Sequence, residues 1–448
     1  MTPEIIKPTA RLAHAFAGLL AMIAMPLAIH AANPFLPGHE YIPDGEPHVY
    51  GDRVYLYGSH DLANSQSFCD YILKVWSAPL NDLNNWTDHG VVLTTRDIDG
   101  RKDDIPWSDN QFYAPDIAKI NGKYYLFAQI VGSPCAVAVS DSPSGPFKVL
   151  GNFKPPAGVP QDFGGWAQYF DPGVLVDDDG KVYLHWGFKH SRMVRLDPQD
   201  PTRILPDTYR ENIIPTEAPF KFFEALSPRK INGVYYIIYA NGAELAYATS
   251  DSPTGPFTYR GVIIGNTGDA HGGNIHGGLA QLNGQWYIFY HRQTNNTNYS
   301  RRACAEPVTI KPDGSIPQVE QTSLGFEKSL NPYKVTQADI ACVFRGGSYV
   351  TETDKDTRPI KGNRNGCVVG YKYFDFGQPK SGHKTQFHIQ LQNREVPGEI
   401  EVWLGDPNND GKKIGTVSVD QPAGGEAAWR KLTIPVNDIT GRHAVFLK

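Results

Sequence analysis

Residues 221–240, KFFEALSPRKINGVYYIIYA, form the segment from which the predicted fold follows. An NG dipeptide at 232–233 favours a two-residue β-hairpin turn, and the alternating aromatic and β-branched residues after it are typical of a strand. Glu224 comes directly after Phe222 and Phe223. A carboxyl group buried beside aromatic rings is costly to ionise, which is the property of a general acid. This segment alone also permits an exposed glutamate at a strand edge.

The same hairpin pattern recurs along the chain. It is found in KINGKYYLFAQ at 119–129, DDGKVYLHW at 178–186, QLNGQWYIFY at 281–290 and, more loosely, YGDRVYLYG at 50–58. With the first segment these make five copies, spaced by roughly 50–70 residues. Five units of several short strands predict a five-bladed β-propeller in an all-β protein.

Residues 1–32 predict an export signal. Lys7 and Arg11 lie in a basic start, residues 13–29 are largely apolar, and Ala31 and Ala32 offer a cleavage point. No later stretch approaches the roughly 18–20 apolar residues of a membrane helix. We therefore expect a protein exported to the periplasm or beyond and not stably inserted in a membrane, with an uncleaved anchor as the alternative.

The composition is that of a large β-rich protein. The 448 residues include 44 glycines and 35 prolines, as many turns require, and 12% are aromatic. A net charge of −5 without a basic cluster argues against nucleic acid as a partner. The five cysteines have no metal-type spacing, and only Cys342 and Cys367 share the second domain, where they could form a disulfide.

A domain boundary is predicted near Leu330, where the hairpin repeat stops. This assigns 33–330 to the propeller and 331–448 to a second domain. Five further strands are predicted at 370–376, 385–391, 398–404, 414–419 and 429–434. Short strands separated by turns predict a small, jelly-roll-like β-sandwich.

Three acids occupy places that the repeat makes comparable. Asp44, Asp116 and Glu224 each precede a repeat hairpin, near the start of a blade's innermost strand. Innermost strands line the axis of a propeller, so these side chains are expected to meet at one end of it. Hydrolysis of a glycosidic bond with inversion needs one protonated and one ionised carboxyl group. Repulsion within such a group would keep one of them protonated near neutral pH.

These segments resemble the signature blocks of glycoside hydrolase family 43, the five-bladed propeller glycosidases. The resemblance implies that Asp44 is the general base, that Asp116 orients the acid and modulates its pKa, and that Glu224 is the general acid. The segment GGNIHGGLAQLNGQWYIFYHR resembles the block of the fifth blade. It implies that His276 lies in the funnel and holds a water molecule or a calcium ion, and that Arg292 contacts substrate.

The first blade departs from the family pattern. The family commonly has Asp-Pro there, whereas this chain reads PDGE at 43–46, so Glu46 is the alternative base. Asp171 is interpreted as a turn or structural acid that could also contact sugar. Trp107, Trp166 and Phe223 are expected to stack on the sugar. No organic cofactor is expected, and any calcium would be structural or would balance charge in the funnel.

The resemblance implies an inverting, exo-acting hydrolase of plant cell-wall poly- or oligosaccharides. An α-L-arabinofuranosidase or β-D-xylosidase acting on xylan or arabinan is expected first. An exo-β-1,3-galactanase, an arabinanase or a non-catalytic glycan-binding propeller are the alternatives. Residues 370–377, 398–405 and 429–436 resemble carbohydrate-binding module family 6. The chain ends soon after Gly441-Arg442-His443, so we expect this domain either to be truncated or to have lost its last strand. Sugar binding and a purely structural role, packed against the propeller, are both open.

Overall fold

The computed structural model describes residues 32–448 except 158, 160–168, 267–272, 355–356, 379–384, 393–396, 421–428 and 437. The predicted export signal at 1–32 lies outside these residues except for Ala32. Within them the regular elements are β-strands and one short 3-10 helix, Ala338–Ile340. No helix in the described part of the chain has the length and apolar character needed to cross a membrane.

The described strands up to Val308 form five sheets in chain order, which confirms the five-bladed propeller. Blade 1 contains β1 to β4, at Glu46–Tyr50, Arg53–Gly58, Ile72–Pro79 and Thr87–Thr94. Blade 2 contains β5 to β8, at Phe112–Ile120, Lys123–Ile130, Ser133–Ser140 and Lys148–Asn152. Blade 3 contains β9 to β13, at Gly173–Val176, Val182–Trp186, Arg192–Asp197, Asp200–Ile204 and Arg210–Glu211.

The last two blades complete the ring. Blade 4 contains β14 to β17, at Glu224–Ile231, Val234–Ala240, Leu245–Ser250 and Thr258–Ile264. Blade 5 contains β18 to β20, at Leu279–Leu282, Gln285–Gln293 and Arg301–Val308. The side chain of Asn33 adds the N-terminal segment to this sheet, because its amide hydrogen-bonds to both backbone groups of Ala305.

Three of the five repeat hairpins have the predicted turn. Asn232 and Gly233 have φ angles of 52° and 83°, and Ile231 pairs with Val234 across them. Positive φ at both turn positions is the geometry that NG sequences favour, and it matches the twist of the two strands. The same arrangement occurs at 121–122 and 283–284.

The first strand of each sheet lies on the axis. Strand β1 packs against β5 and β18, and β9 packs against β5 and β14. The starting ends of these five strands therefore point to the same end of the propeller. Between the blades lie apolar clusters, for example Leu73, Leu93, Ile117 and Leu126 between blades 1 and 2.

The C-terminal region is a β-sandwich. Its strands β21 to β29 lie at Val343–Arg345, Tyr349–Val350, Ile360–Lys361, Val368–Asp375, Gln386–Leu391, Gly398–Leu404, Lys412–Val419, Arg430–Pro435 and Arg442–Leu447. One sheet has the order β21-β24-β29-β26-β27, and β25 pairs with β28. Val369 and Val402 of the first sheet share an apolar core with Phe387 and Ile434 of the second.

The five predicted strands of this domain are present within about two residues of their expected ends. The expectation of a missing last strand is corrected, because Arg442–Leu447 forms β29 in the middle of the large sheet. Cys342 and Cys367 are buried free thiols, so the disulfide that the sequence left open is not formed.

Candidate active site

Four ionisable side chains meet at the starting ends of the innermost strands. Asp44 and Asp171 lie just before β1 and β9, Glu224 is the first residue of β14, and His276 lies just before β18. All four are buried, with exposed fractions between 3% and 7%. Asp44 and Asp171 also adopt positive φ angles, 57° and 49°, which are uncommon outside glycine and concentrate at functional sites.

Asp44 is held as a carboxylate. Its Oδ1 accepts a hydrogen bond of 2.8 Å from Arg301 Nη1, and its Oδ2 accepts one of 2.6 Å from the hydroxyl of Ser59. Burial opposes ionisation, but the Arg301 guanidinium outweighs it together with His276 and Ser59, so the pKa of Asp44 lies below its ordinary value. A buried carboxylate with a low pKa is suited to accept a proton from water.

A second acid fixes the arginine. Arg301 donates from Nε to Asp61 Oδ2 at 2.8 Å and from Nη2 to Asp61 Oδ1 at 3.0 Å, a two-point contact that sets the plane of the guanidinium. The ring of Phe68 lies 4.9 Å from the same group. His291 accepts a 3.2 Å hydrogen bond at Nδ1 from the backbone N–H of Asp44.

Glu224 is held in the opposite state. Burial, together with the nearby negative charges of Asp171 and Asp44, raises the pKa of Glu224 to about 8. Burial likewise raises the pKa of Asp171 to about 7, against the attraction of His276. The site thus combines a protonated carboxyl group with an ionised one, which are the two states that acid and base catalysis at one bond require.

The third carboxyl group beside Asp44 and Glu224 is Asp171, whereas the sequence predicts Asp116 there. It belongs to blade 3, accompanies Asp44 and Glu224, and has its backbone N–H bound to Gln129 Oε1 at 2.9 Å. Its Oδ2 lies 3.8 Å from Nδ1 of His276. The signal in the sequence is the Asp-Pro pair at 171–172 before a repeat hairpin, a pair that the family resemblance associates with blade 1.

Asp116 lies deeper in the propeller. It is the fifth residue of β5, roughly 13 Å along the strand from its start at about 3.3 Å per residue. Its Oδ1 lies 2.6 Å from Nε2 of His48, and its Oδ2 accepts a 2.7 Å hydrogen bond from the backbone N–H of Val174. These contacts join blades 1, 2 and 3, and Asp116 is not among the main charges that act on Glu224.

Glu46, the alternative base, also lies below the catalytic end of the axis. It pairs with Arg229 at 2.7 Å and with His276 at 3.1 Å. Burial opposes its ionisation, but these cations lower the pKa of Glu46 to about 2. Asp44, and not Glu46, is among the main charges that act on Glu224, which favours Asp44 as the base.

The other predicted contact residues separate into two groups. His276 lies at the site, and Phe223 is half-buried beside Glu224. Arg292 is placed elsewhere, because alternate residues of β19 face opposite sides and its guanidinium contacts the sulfur of Cys304 and the carbonyl of Asn33. The substrate contact predicted for Arg292 is therefore corrected, and the arginine at the carboxyl groups is Arg301.

The two tryptophans give no support for stacking on sugar. Trp107 packs against the apolar cluster between blades 1 and 2, and its indole N–H donates to the carbonyl of Pro134 at 3.2 Å. Trp166 lies outside the described residues. A chain of aromatic rings in mutual contact instead flanks the carboxyl groups, with centroids 4.7–6.5 Å apart; it consists of Phe223, Phe188, Phe170, Tyr113, Phe68 and Tyr299.

The cluster of Glu46, His48 and Asp116 on the axis does not fit a calcium ion. Among the described residues, Glu46, His48 and Asp116 each place one ligand atom within 4.8 Å of the others. Calcium prefers six to eight oxygen ligands. Here one of the three residues is a histidine, and the carboxylate oxygens already bind Arg229, His276, His48 and a backbone N–H. His276 also carries positive charge, because Glu46 and Asp171 raise its pKa to about 9 against the effect of burial.

A β-propeller with buried carboxyl groups at one end of its axis is the architecture of the propeller glycoside hydrolases. Residues 31–316 match the sequence model of glycosyl hydrolases family 43, and residues 340–448 match that of carbohydrate binding module family 6. The chain therefore belongs to glycoside hydrolase family 43, a family of inverting enzymes, and carries a C-terminal module of family 6.

Individual relatives agree with this assignment. The chain is 38% identical to a xylosidase/arabinosidase of Thermoclostridium stercorarium, over 83% of this chain and 90% of that protein. It is 30% identical to an arabinoxylan arabinofuranohydrolase of Bacillus subtilis, over 93% and 88%. A crystal structure of a family 43 arabinoxylan arabinofuranohydrolase from Bacillus subtilis is similar with a TM-score of 0.55 and 28% identity, covering 93% of each chain.

Proposed function

We propose that this enzyme removes single α-L-arabinofuranosyl or β-D-xylosyl groups from arabinoxylan and related plant cell-wall saccharides, with inversion. The observation that carries the proposal is the pairing of a carboxylate at Asp44 with a carboxylic acid at Glu224 in one buried site. The relatives named xylosidase/arabinosidase and arabinoxylan arabinofuranohydrolase support this choice of sugars.

The reaction uses the two carboxyl groups on opposite faces of the sugar. Glu224 donates its proton to the glycosidic oxygen as the bond to the anomeric carbon breaks. A water molecule attacks that carbon from the other face and loses its proton to Asp44. The products are a free sugar of inverted configuration and the remaining saccharide, which carries the hydroxyl group formed at the broken bond. No cofactor takes part, because proton transfer and attack by water need none.

Asp171 takes the modulating role in this mechanism. Its negative charge is next to Glu224, so it opposes loss of the proton from Glu224 until the leaving oxygen takes it. His276 faces Asp171 with its positive charge and favours the ionised form of Asp171, and the same charge offsets part of the rise in the pKa of Glu224. We propose that the third carboxyl group of the mechanism is Asp171 and that Asp116 supports the propeller.

The proposal is tested with aryl α-L-arabinofuranoside, β-D-xyloside and β-D-galactofuranoside, and with arabinoxylan. Release of arabinose or xylose from the first two and from arabinoxylan supports the proposal. Preference for the galactoside, or activity restricted to internal cleavage of a polymer, would contradict it. Glu224→Gln run in parallel on arabinoxylan excludes a contaminating hydrolase, because release of sugar from this substrate must fall with loss of the acid.

We also propose that the enzyme is exported, since residues 1–32 have the pattern of a cleavable leader. Fractionation of the producing cells should find the mature chain outside the cytoplasm, starting near residue 33. The module at 340–448 is proposed to hold the enzyme on insoluble xylan. A pull-down of the Glu224→Gln chain on insoluble xylan tests this, and no retention would contradict it.

A further inference from the structure

The guanidinium of Arg229 lies on the propeller axis in a cage of oxygen atoms. Arg229 lies further along β14 than Glu224, and its side chain is only 13% exposed. Its Nη2 donates to Glu46 Oε2 at 2.7 Å and to the carbonyl of Pro47 at 3.3 Å. Its Nε and Nη1 donate to the carbonyls of Leu279 and Pro228 at 2.9 and 2.8 Å.

The cage is assembled from three blades. Its oxygens come from β1 of blade 1, β14 of blade 4 and β18 of blade 5. The hydroxyl of Ser227 donates to the same Glu46 oxygen at 2.8 Å. A Cβ atom on Gly278 would lie 2.6 Å from that oxygen and 2.8 Å from Arg229 Nη2, so only glycine leaves room for the group.

One carboxylate and several carbonyl oxygens are also the ligands that a hard metal cation uses, and here they surround the planar cation of Arg229. We infer that the guanidinium of Arg229 is a permanent cation of the axis, which replaces a bound metal ion in this chain. It joins three blades and positions Glu46. This inference concerns the support of the site, and it holds whichever sugar the enzyme removes.

The cation acts on catalysis through two intermediate side chains. With Oε2 fixed by Arg229, Glu46 presents Oε1 to His276 Nε2 at 3.1 Å. The other ring nitrogen of His276 then faces Asp171 at 3.8 Å. Arg229 is thus a positioning residue, and its removal should disturb the site without removing any group that contacts substrate.

The first test is calcium binding to the full-length chain by isothermal titration. Arg229→Ala empties the cage and leaves its carboxylate, so this variant should bind one more Ca²⁺ per chain than the wild type. Arg229→Lys, which keeps a cation, and Lys230→Ala, which removes the neighbouring surface cation paired with Asp177, should both match the wild type. Calcium bound elsewhere cancels in the comparison. Equal stoichiometry in Arg229→Ala and the wild type overturns the inference.

The second test is chemical rescue. Arg229→Ala should lose about 10- to 100-fold in kcat on an aryl glycoside, because the side chains above it shift. Millimolar guanidinium should restore several-fold of this loss, whereas urea, which has the same shape without the charge, should not. Rescue by neither compound, or equally by both, contradicts a cation site.

If Arg229→Ala does not fold, the inference can still be tested on the wild-type enzyme. Its kcat/KM on an aryl glycoside should be unchanged by EDTA and by added CaCl₂. A loss in EDTA that calcium restores would show that a metal ion serves the active site, and the inference would be wrong.

Discussion

Arg301 Nη1 lies 2.8 Å from Asp44 Oδ1, although 257 residues separate the two in sequence. The contact joins the last strand of blade 5 to Asp44, which lies two residues before the first strand of blade 1. Closure of the propeller therefore also creates the ion pair that keeps Asp44 ionised. The base should be active only when the ring is closed.

The pH dependence of the reaction should report this ion pair. Arg301→Lys retains a positive charge but loses the two-point contact with Asp61, so the charge is held less closely to Asp44. The pKa of Asp44 should rise, and the acidic limb of the kcat/KM profile should move to higher pH, since the base is lost as pH falls through its pKa.

A matched control lies next to it in sequence. Arg302 faces the sandwich and pairs with Asp339 at 2.8 Å. Arg302→Lys should change the thermal midpoint but leave the acidic limb in place. An unshifted limb in Arg301→Lys, or an equal shift in both variants, would refute the tuning of Asp44 by Arg301.

The Glu224→Gln variant removes the general acid and should leave the fold intact. Loss of the general acid should lower kcat on arabinoxylan oligosaccharides by about 10²–10⁴-fold. Aryl substrates with acidic leaving groups need less help from the acid and should lose less. The exposed Glu217→Gln serves as control and should match the wild type on both substrates. An equal loss on both substrates would argue against proton donation by Glu224.

The Asp171→Asn and Asp116→Asn variants should have different phenotypes. Asp171→Asn removes a negative charge beside Glu224, so the pKa of Glu224 should fall. The rate needs protonated Glu224, so the alkaline limb of the profile should move to lower pH. Asp116→Asn weakens contacts to His48 and Val174 and should lower the thermal midpoint without moving that limb. The reverse pattern would return the modulating role to Asp116.

Glu306 should make stability depend on pH. It is buried where the N-terminal segment meets the segment that leads to the sandwich, and it accepts hydrogen bonds from Asn33 and Thr322. Burial raises the pKa of Glu306 to about 7, above the ordinary value of 4.5. Its contribution to stability is thus complete below the unfolded-state pKa and is lost as pH rises through 7.

Glu306→Gln removes this ionisation. The variant should lose less stability than the wild type between pH 4.5 and pH 8, by about 3 kcal/mol if the full shift is expressed. Thermal midpoints at both pH values measure the difference. The exposed Glu399→Gln is the control and should follow the wild type. A pH slope unchanged by Glu306→Gln would refute the assignment.

The fold was predictable because its information is local. The NG turns at 121–122, 232–233 and 283–284 define the hairpins, and strand alternation follows directly from each turn. The repeat then predicts five blades, and the starting ends of innermost strands predict where Asp44 and Glu224 meet. These two residues were located from the sequence for that reason.

The rest of the site depends on how far along its strand each residue lies and on contacts between residues that are distant in sequence. Asp116 and Asp171 both precede repeat hairpins, and only the position along the innermost strand separates them: Asp171 precedes β9, whereas Asp116 lies well inside β5. Arg301 shares no motif with Asp44, since their contact exists only when the ring closes. Arg292 was misassigned because the alternation of β19 turns it away from the axis.

The most direct test of the central claim is the configuration of the first-formed sugar. Proton NMR during hydrolysis of an aryl α-L-arabinofuranoside, recorded before mutarotation, should show β-L-arabinofuranose first. That result requires a water molecule between base and sugar, as Asp44 and Glu224 are proposed to arrange it. First appearance of the α anomer would mean retention through a covalent intermediate, and it would contradict the roles assigned to both residues.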